Sequence, residues 1–161
     1  MTVWTTIETP LGAMALAAEA GRVIGAWFDG QRQPAPGWTS GAGAPVLAVA
    51  AEQLTEYFSG ERRSFELSLA PAGTPFEREV WRRIGEIGFG ETTTYGALAA
   101  TLRRPSVARA VGAATARNPL AVFVPCHRVV GRNGALTGYA GGLERKRALL
   151  ELERAAVLRG R

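Results

Sequence analysis

The tripeptide Pro71-Ala72-Gly73 divides the chain into two stretches whose hydrophobic periods differ, and this restricts the fold more than any other feature. Before it, Val3 to Ile7, Ala13 to Ala17 and Arg22 to Phe28 predict three short strands. Pro10-Leu11-Gly12 and Glu19-Ala20-Gly21 supply turns between them, so an antiparallel meander is expected. Gln31 to Pro45 is rich in small and turn-forming residues and predicts a surface loop. Leu47, Ala50, Leu54, Tyr57 and Phe58 follow helical spacing up to Gly60, and the alternation of Phe65, Leu67 and Leu69 predicts one more strand. This stretch holds no cluster of catalytic groups, and a supporting role is expected of it.

After the boundary the pattern turns helical. Thr74-Pro75-Phe76-Glu77 opens a helix with a capping box and a proline at the first helical position. Phe76, Val80, Ile84 and Ile87 form its apolar stripe, and Gly88-Phe89-Gly90 ends it. Thr94 can cap a short helix from Tyr95 to about Leu102, and Ser106 a second one to about Ala116, with Arg103-Arg104-Pro105 turning the chain between them. The second helix is built of small residues (Ala108, Ala110, Gly112, Ala113, Ala114), which permit close approach of either a neighbouring helix or a DNA groove. Arg103, Arg104, Arg109 and Arg117 surround the pair and favour a helix-turn-helix on DNA. Ala121 to Val124 predicts a buried strand ended by Pro125, Asn133-Gly134 is a hairpin signal, and a final helix runs from about Leu143 to Leu158. Leu143, Leu150 and Val157 predict its inner face, which Glu153 can share. The expected class is α+β, with domains at 1–72 and 73–161.

The chemistry concentrates in Pro125 to Gly131, PCHRVVG, which sets the only cysteine, Cys126, directly beside the only histidine, His127. A thiol attacks as its thiolate, and a neighbouring base or electropositive setting makes that form available near neutral pH. Taken alone, the pair also fits an inert core thiol beside a surface imidazole, because adjacent side chains on a strand point to opposite faces.

The wider segment Asn118 to Gly142, NPLAVFVPCHRVVGRNGALTGYAGG, resembles closely the active-site region of the O6-alkylguanine-DNA alkyltransferases, the methylated-DNA–protein-cysteine methyltransferases. The likeness extends from about Thr74 to Glu153, more weakly over the N-terminal part, and is strongest to stand-alone bacterial members. It implies a ribonuclease H-like N-terminal domain and a winged helix-turn-helix-like C-terminal domain carrying the reactive cysteine. It implies that Cys126 accepts the alkyl group from O6 of guanine, that His127 deprotonates it through a water, and that Glu153 orients His127. Tyr95 matches the tyrosine that helps turn out the nucleotide and gives a proton to the leaving base; Arg109 matches the finger that fills the gap in the stack. Tyr139 matches a pocket-wall residue, and backbone groups near Val129, Ala140 and Gly141 are expected at the guanine edges. Many relatives have serine at the Ala140 position; with alanine here, the resemblance implies a contact through the backbone N–H. Thr94 and Ser106 fall with the DNA-facing helix pair, and Asn118 is expected to hold the turn between the reading helix and the active segment. The implied partner is double-stranded DNA containing O6-alkylguanine, bound through the minor groove. No cofactor is implied, and a thioether offers no easy return to a thiol, so each molecule acts once.

Composition narrows the alternatives. One cysteine makes no internal disulfide, so a reducing cytosol is the expected compartment, and one cysteine with one histidine makes a structural zinc site improbable. No apolar run is long enough to span a bilayer. The formal charge is +5, and eighteen of the nineteen basic residues are arginine, Lys146 being the exception; this suits phosphate binding and also fits a simple codon bias. A monomer is expected, with cooperativity on DNA left open. A non-catalytic lesion sensor would lack Cys126, a plain winged-helix regulator would need no Cys-His pair, and a cysteine hydrolase would turn over.

Overall fold

The computed structural model describes residues 1–41, 44–102 and 107–160. The predicted Arg103-Arg104-Pro105 turn and the Ser106 cap lie outside these residues. The chain is α+β and divides into two compact units, one made of Met1–Ala72 with Pro119–Ala121, the other of Gly73–Asn118 with Val122–Arg161.

In the first unit, β1 (Thr2–Thr9), β2 (Gly12–Glu19) and β3 (Arg22–Phe28) form the expected antiparallel meander. The turn between β2 and β3 is Ala20-Gly21, both at positive φ, which matches the twist of a two-residue hairpin. A two-residue strand, β4 (Thr39–Ser40), lies parallel to β1 and gives the order β3-β2-β1-β4. Helix α1 (Pro45–Phe58) packs on this sheet through Leu47, Ala50, Leu54 and Tyr57, all buried. By strand alternation Ala15, Ala17 and Trp27 share a face, where they pack with Trp4, Ile24 and Trp38.

The strand expected at Phe65 to Leu69 does not form. A single parallel bridge, Val23 to Leu69, is all that is made. Gln53 of α1 explains the loss: its side chain accepts from the Glu66 N–H at 2.9 Å and donates to the Glu66 carbonyl at 3.2 Å. A glutamine thereby satisfies the backbone groups that a neighbouring strand would otherwise pair.

The second unit begins with α2 (Pro75–Ile84), whose Thr74–Glu77 capping box is present as predicted. The helix stops at Ile84, a turn earlier than its apolar stripe suggests, and Trp81 joins Val80 and Ile84 in the core. Short helices α3 (Tyr95–Thr101) and α4 (Ala108–Ala116) pack on α2 and on each other. The Trp81 indole donates to the Ala114 carbonyl at 2.8 Å, tying α2 to α4. Strands β5 (Thr93–Thr94) and β6 (Val129–Val130) pair in parallel. The Asn133-Gly134 turn forms, both residues at positive φ, but it joins no hairpin because β6 pairs with β5 instead.

The strand predicted at Ala121 to Val124 is absent. Leu120 bridges to Ala26, and Ala121 donates to the Ala26 carbonyl at 2.9 Å. Val122 then takes φ +72°, a left-handed conformation that a β-branched residue rarely adopts. Pro125 (φ −80°, ψ 62°) makes an inverse γ-turn in which the Cys126 N–H donates to the Val124 carbonyl at 2.8 Å. Cys126–Arg128 follows as a 3-10 turn.

Helix α5 (Leu143–Arg159) closes the chain. Its buried stripe is Lys146, Leu149, Glu153 and Ala156, whereas the predicted inner residues Leu143, Leu150 and Val157 are exposed or half-buried. The inward face is one position away from the apolar one because it carries two charges that have partners inside.

Candidate active site

Cys126 sits at the first position of the 3-10 turn and is 6% exposed. The Asn118 amide donates to the Cys126 Sγ at 3.1 Å and to the Val124 carbonyl at 2.9 Å. One side chain thus fixes the bend before the cysteine and supplies a donor to its sulfur. Burial pushes the thiol pKa up; the Asn118 hydrogen bond, the Lys146 charge and nearby backbone N–H groups pull it down.

The 3-10 turn also answers the objection from strand geometry. With three residues per turn, consecutive side chains stand about 120° apart rather than on opposite faces. His127 is fully buried, and its Nε2 lies 2.7 Å from Glu153 Oε2. His127 Nδ1 is buried with no hydrogen-bond partner among the described residues. Burial lowers the imidazole pKa, and the positive charges of Arg128 and Lys146 lower it further, against the pull of Glu153. Glu153 falls to about 2, because its hydrogen bonds and charge contacts with His127 and Arg128 overcome the burial that would raise it.

A cavity of about 280 Å³ opens onto the thiol, lined by Tyr95, Gly112, Thr115, Ala116, Cys126, Gly138, Tyr139 and Ala140. Of the residues singled out in the sequence, it brings together Cys126, Tyr95, Tyr139 and Ala140; Asn118, His127 and Glu153 join Cys126 through the contacts above. The Tyr139 hydroxyl is buried without a partner among the described residues, and burial holds its pKa well above the usual range. Val129 is buried with its carbonyl bonded to Lys146, and the Gly141 carbonyl accepts from Arg145 at 3.2 Å. Thr94 caps α3, its Oγ1 accepting from the Ala97 N–H at 3.0 Å, and does not line the cavity. Arg109 is exposed on the first turn of α4, also outside the cavity lining.

Two residues of the site escaped the sequence reading. Lys146, fully buried, donates from Nζ to the carbonyls of Val129 (2.7 Å), Thr137 (2.8 Å) and Gly138 (3.2 Å) and lies 6.0 Å from the centre of the Tyr95 ring. Arg128 donates from Nε and Nη2 to the two oxygens of Glu153, both at 2.9 Å. Being the only lysine was the one available signal for Lys146. Among the described residues no group of His, Cys, Asp and Glu could hold a metal ion.

The fold and site define a protein with one buried, supported thiol at the floor of a pocket, backed by an imidazole–carboxylate pair. Family models place it further. Residues 75–155 match the 6-O-methylguanine DNA methyltransferase DNA binding domain, and residues 2–71 the ribonuclease-like domain of the same proteins. The chain is 45% identical to the constitutive methylated-DNA–protein-cysteine methyltransferase of Bacillus subtilis, with 96% of each chain covered. It is 43% identical to the corresponding protein of Mycolicibacterium paratuberculosis, over 96% of this chain and 93% of that one. The crystal structure of Mycobacterium tuberculosis OGT in complex with DNA superposes with a TM-score of 0.91 at 42% identity, covering 96% of this chain and 94% of that one. The chain belongs to the 6-O-methylguanine DNA methyltransferase family.

Proposed function

We propose that this chain repairs O6-alkylguanine in double-stranded DNA by moving the alkyl group to the Cys126 sulfur, once per molecule. The observation that carries this reading is the thiol itself, bonded to Asn118 and opening onto the cavity, with His127 and Glu153 in contact behind it. The Sγ–carbon bond forms as the carbon–O6 bond breaks, and the electron pair leaves on guanine. His127 Nδ1 receives the thiol proton through one water, and the Tyr95 hydroxyl protonates the departing base. The Asn118 amide stabilises the developing thiolate by donating to it.

The target atom is out of reach inside a duplex, so the nucleotide must be flipped. The small residues of α4 suit close approach to a minor groove, and exposed Arg109 on its first turn suits the gap left in the stack. Tyr139 walls the pocket, and backbone groups near Val129, Ala140 and Gly141 meet the guanine edges. Alanine at position 140 retains a backbone contact. Gly73 to Arg161 does this work on a monomer in the reducing cytosol, and Met1 to Ala72 supports it.

Intact-mass spectrometry after incubation with duplex O6-methylguanine tests the reading. One equivalent of lesion should consume one equivalent of protein, with the methyl group mapping to Cys126 and no transfer in Cys126→Ser. Sustained turnover, or a methyl group on another residue, would overturn it.

A further inference from the structure

Glu153 is held from more than one side. Its Oε1 accepts from the Gly90 N–H at 3.1 Å and from Arg128 Nε at 2.9 Å; its Oε2 accepts from Arg128 Nη2 at 2.9 Å and lies 2.7 Å from His127 Nε2. Arg128 is itself anchored: Nη1 donates to the Ile87 carbonyl at 2.7 Å, and the guanidinium lies 5.7 Å from the centre of the Phe89 ring. Arg128 is 6% exposed, so this arrangement is built into the core of the second unit.

We propose that Arg128 is the positioning residue of the proton-accepting pair: by clamping both oxygens of Glu153 it aims Oε2 at His127 Nε2, so that Nε2 carries the imidazole proton and Nδ1 stays basic. The proposal rests on the reading of Cys126 as the alkyl acceptor, since it says how His127 is kept ready for the thiol proton. A carboxylate only accepts hydrogen bonds, so its partner nitrogen on a neutral imidazole must be the protonated one. Nδ1, which has no partner among the described residues, is then the nitrogen with a free lone pair. A lysine could offer charge but not two parallel N–H bonds, which is why an arginine fits here.

Arg128 has a second effect. The charged groups facing the imidazole are Glu153 and Lys146 from α5 and Arg128 from its own turn, with Cys126 and Tyr139 nearby. Arg128 shares the Glu153 charge and places a cation beside His127; both effects keep the imidazole neutral. Without Arg128 the carboxylate would lose its neutralising cation and act more strongly on His127, and the imidazole would hold a proton at higher pH. A protonated His127 cannot accept the thiol proton, so the acid limb of the rate profile would move upward.

Two measurements test this. Because the chain has one histidine, ¹⁵N NMR of its imidazole is unambiguous. Wild-type protein at neutral pH should show Nε2 protonated and Nδ1 unprotonated. The opposite tautomer, or a doubly protonated ring, would overturn the proposal without any variant or any DNA; absence of methyl transfer would instead strike at the functional reading. In Arg128→Met the acid limb of single-turnover transfer should shift to higher pH by about one unit or more, costing about tenfold on the acid side of the limb and progressively less toward neutral pH and above. Arg128→Lys, which keeps the charge but loses the paired bonds, should fall between. A purely structural arginine would depress the rate equally at every pH, and a profile parallel to wild type in both variants would refute the assignment.

Discussion

At the scale of single residues, the site depends on charges in unusual places. Lys146 spends its ammonium on three backbone carbonyls, two of them in the loop before Tyr139, and its positive charge lowers the Cys126 thiol pKa against burial. Lys146→Met keeps the length of the side chain and removes the charge. The thiol pKa should then rise further, and alkylation of Cys126 by iodoacetamide at neutral pH should slow by about tenfold for each unit of that rise. The pH dependence of the iodoacetamide rate decides it: a curve that overlays wild type would mean Lys146 only ties the loop together. Cys126 and His127 stood out in the sequence as its only cysteine and only histidine, and Tyr95 and Tyr139 were reached only through the family resemblance. Lys146 and Arg128 were not legible, because a charged side chain in a sequence normally belongs to a solvated face.

At the scale of elements, locally encoded structure was read correctly and structure that depends on distant partners was not. The three strands of the meander alternate, and the α2 capping box is written in four consecutive residues; both formed. Ala121 to Val124 has strand composition, yet Asn118 takes the Val124 carbonyl and Val122 turns left-handed, so no strand forms. The inner face of α5 was misplaced because two of its four buried residues are ionic and their partners, on Cys126–Arg128 and on β6, are invisible to a helical-period argument. Thr94 gives an element-scale prediction. Its hydroxyl caps α3, the helix that begins with Tyr95. Thr94→Ala should cost about 1 kcal/mol in urea denaturation, and Thr94→Ser should restore most of it. Equal losses in both variants would mean the cap hydrogen bond is not what Thr94 contributes.

At the scale of the whole molecule, the buried pair makes stability depend on acid. Glu153 is held at about 2 in the folded protein, below its ordinary 4.5, so its contribution is fully present above pH 4.5 and is lost as pH falls toward 2. His127 has a folded pKa below its ordinary 6.5, so below that pH the unfolded chain takes up a proton that the folded chain resists. Both effects run the same way: stability should decline on acidification below about pH 6.5 and steepen below 4.5. Denaturation midpoints across that range check this, and Glu153→Gln should flatten the lower part of the curve. Lys146 has a separate consequence. An endoproteinase specific for lysine has one peptide bond to cut in the 161 residues, and the side chain it must recognise is fully buried in α5. Folded protein should resist it, while every molecule that opens this helix yields the same two fragments, 1–146 and 147–161. Where reclosing outpaces cleavage, the rate at which those fragments accumulate measures the fraction of molecules in which this helix is open, without any engineered cleavage site.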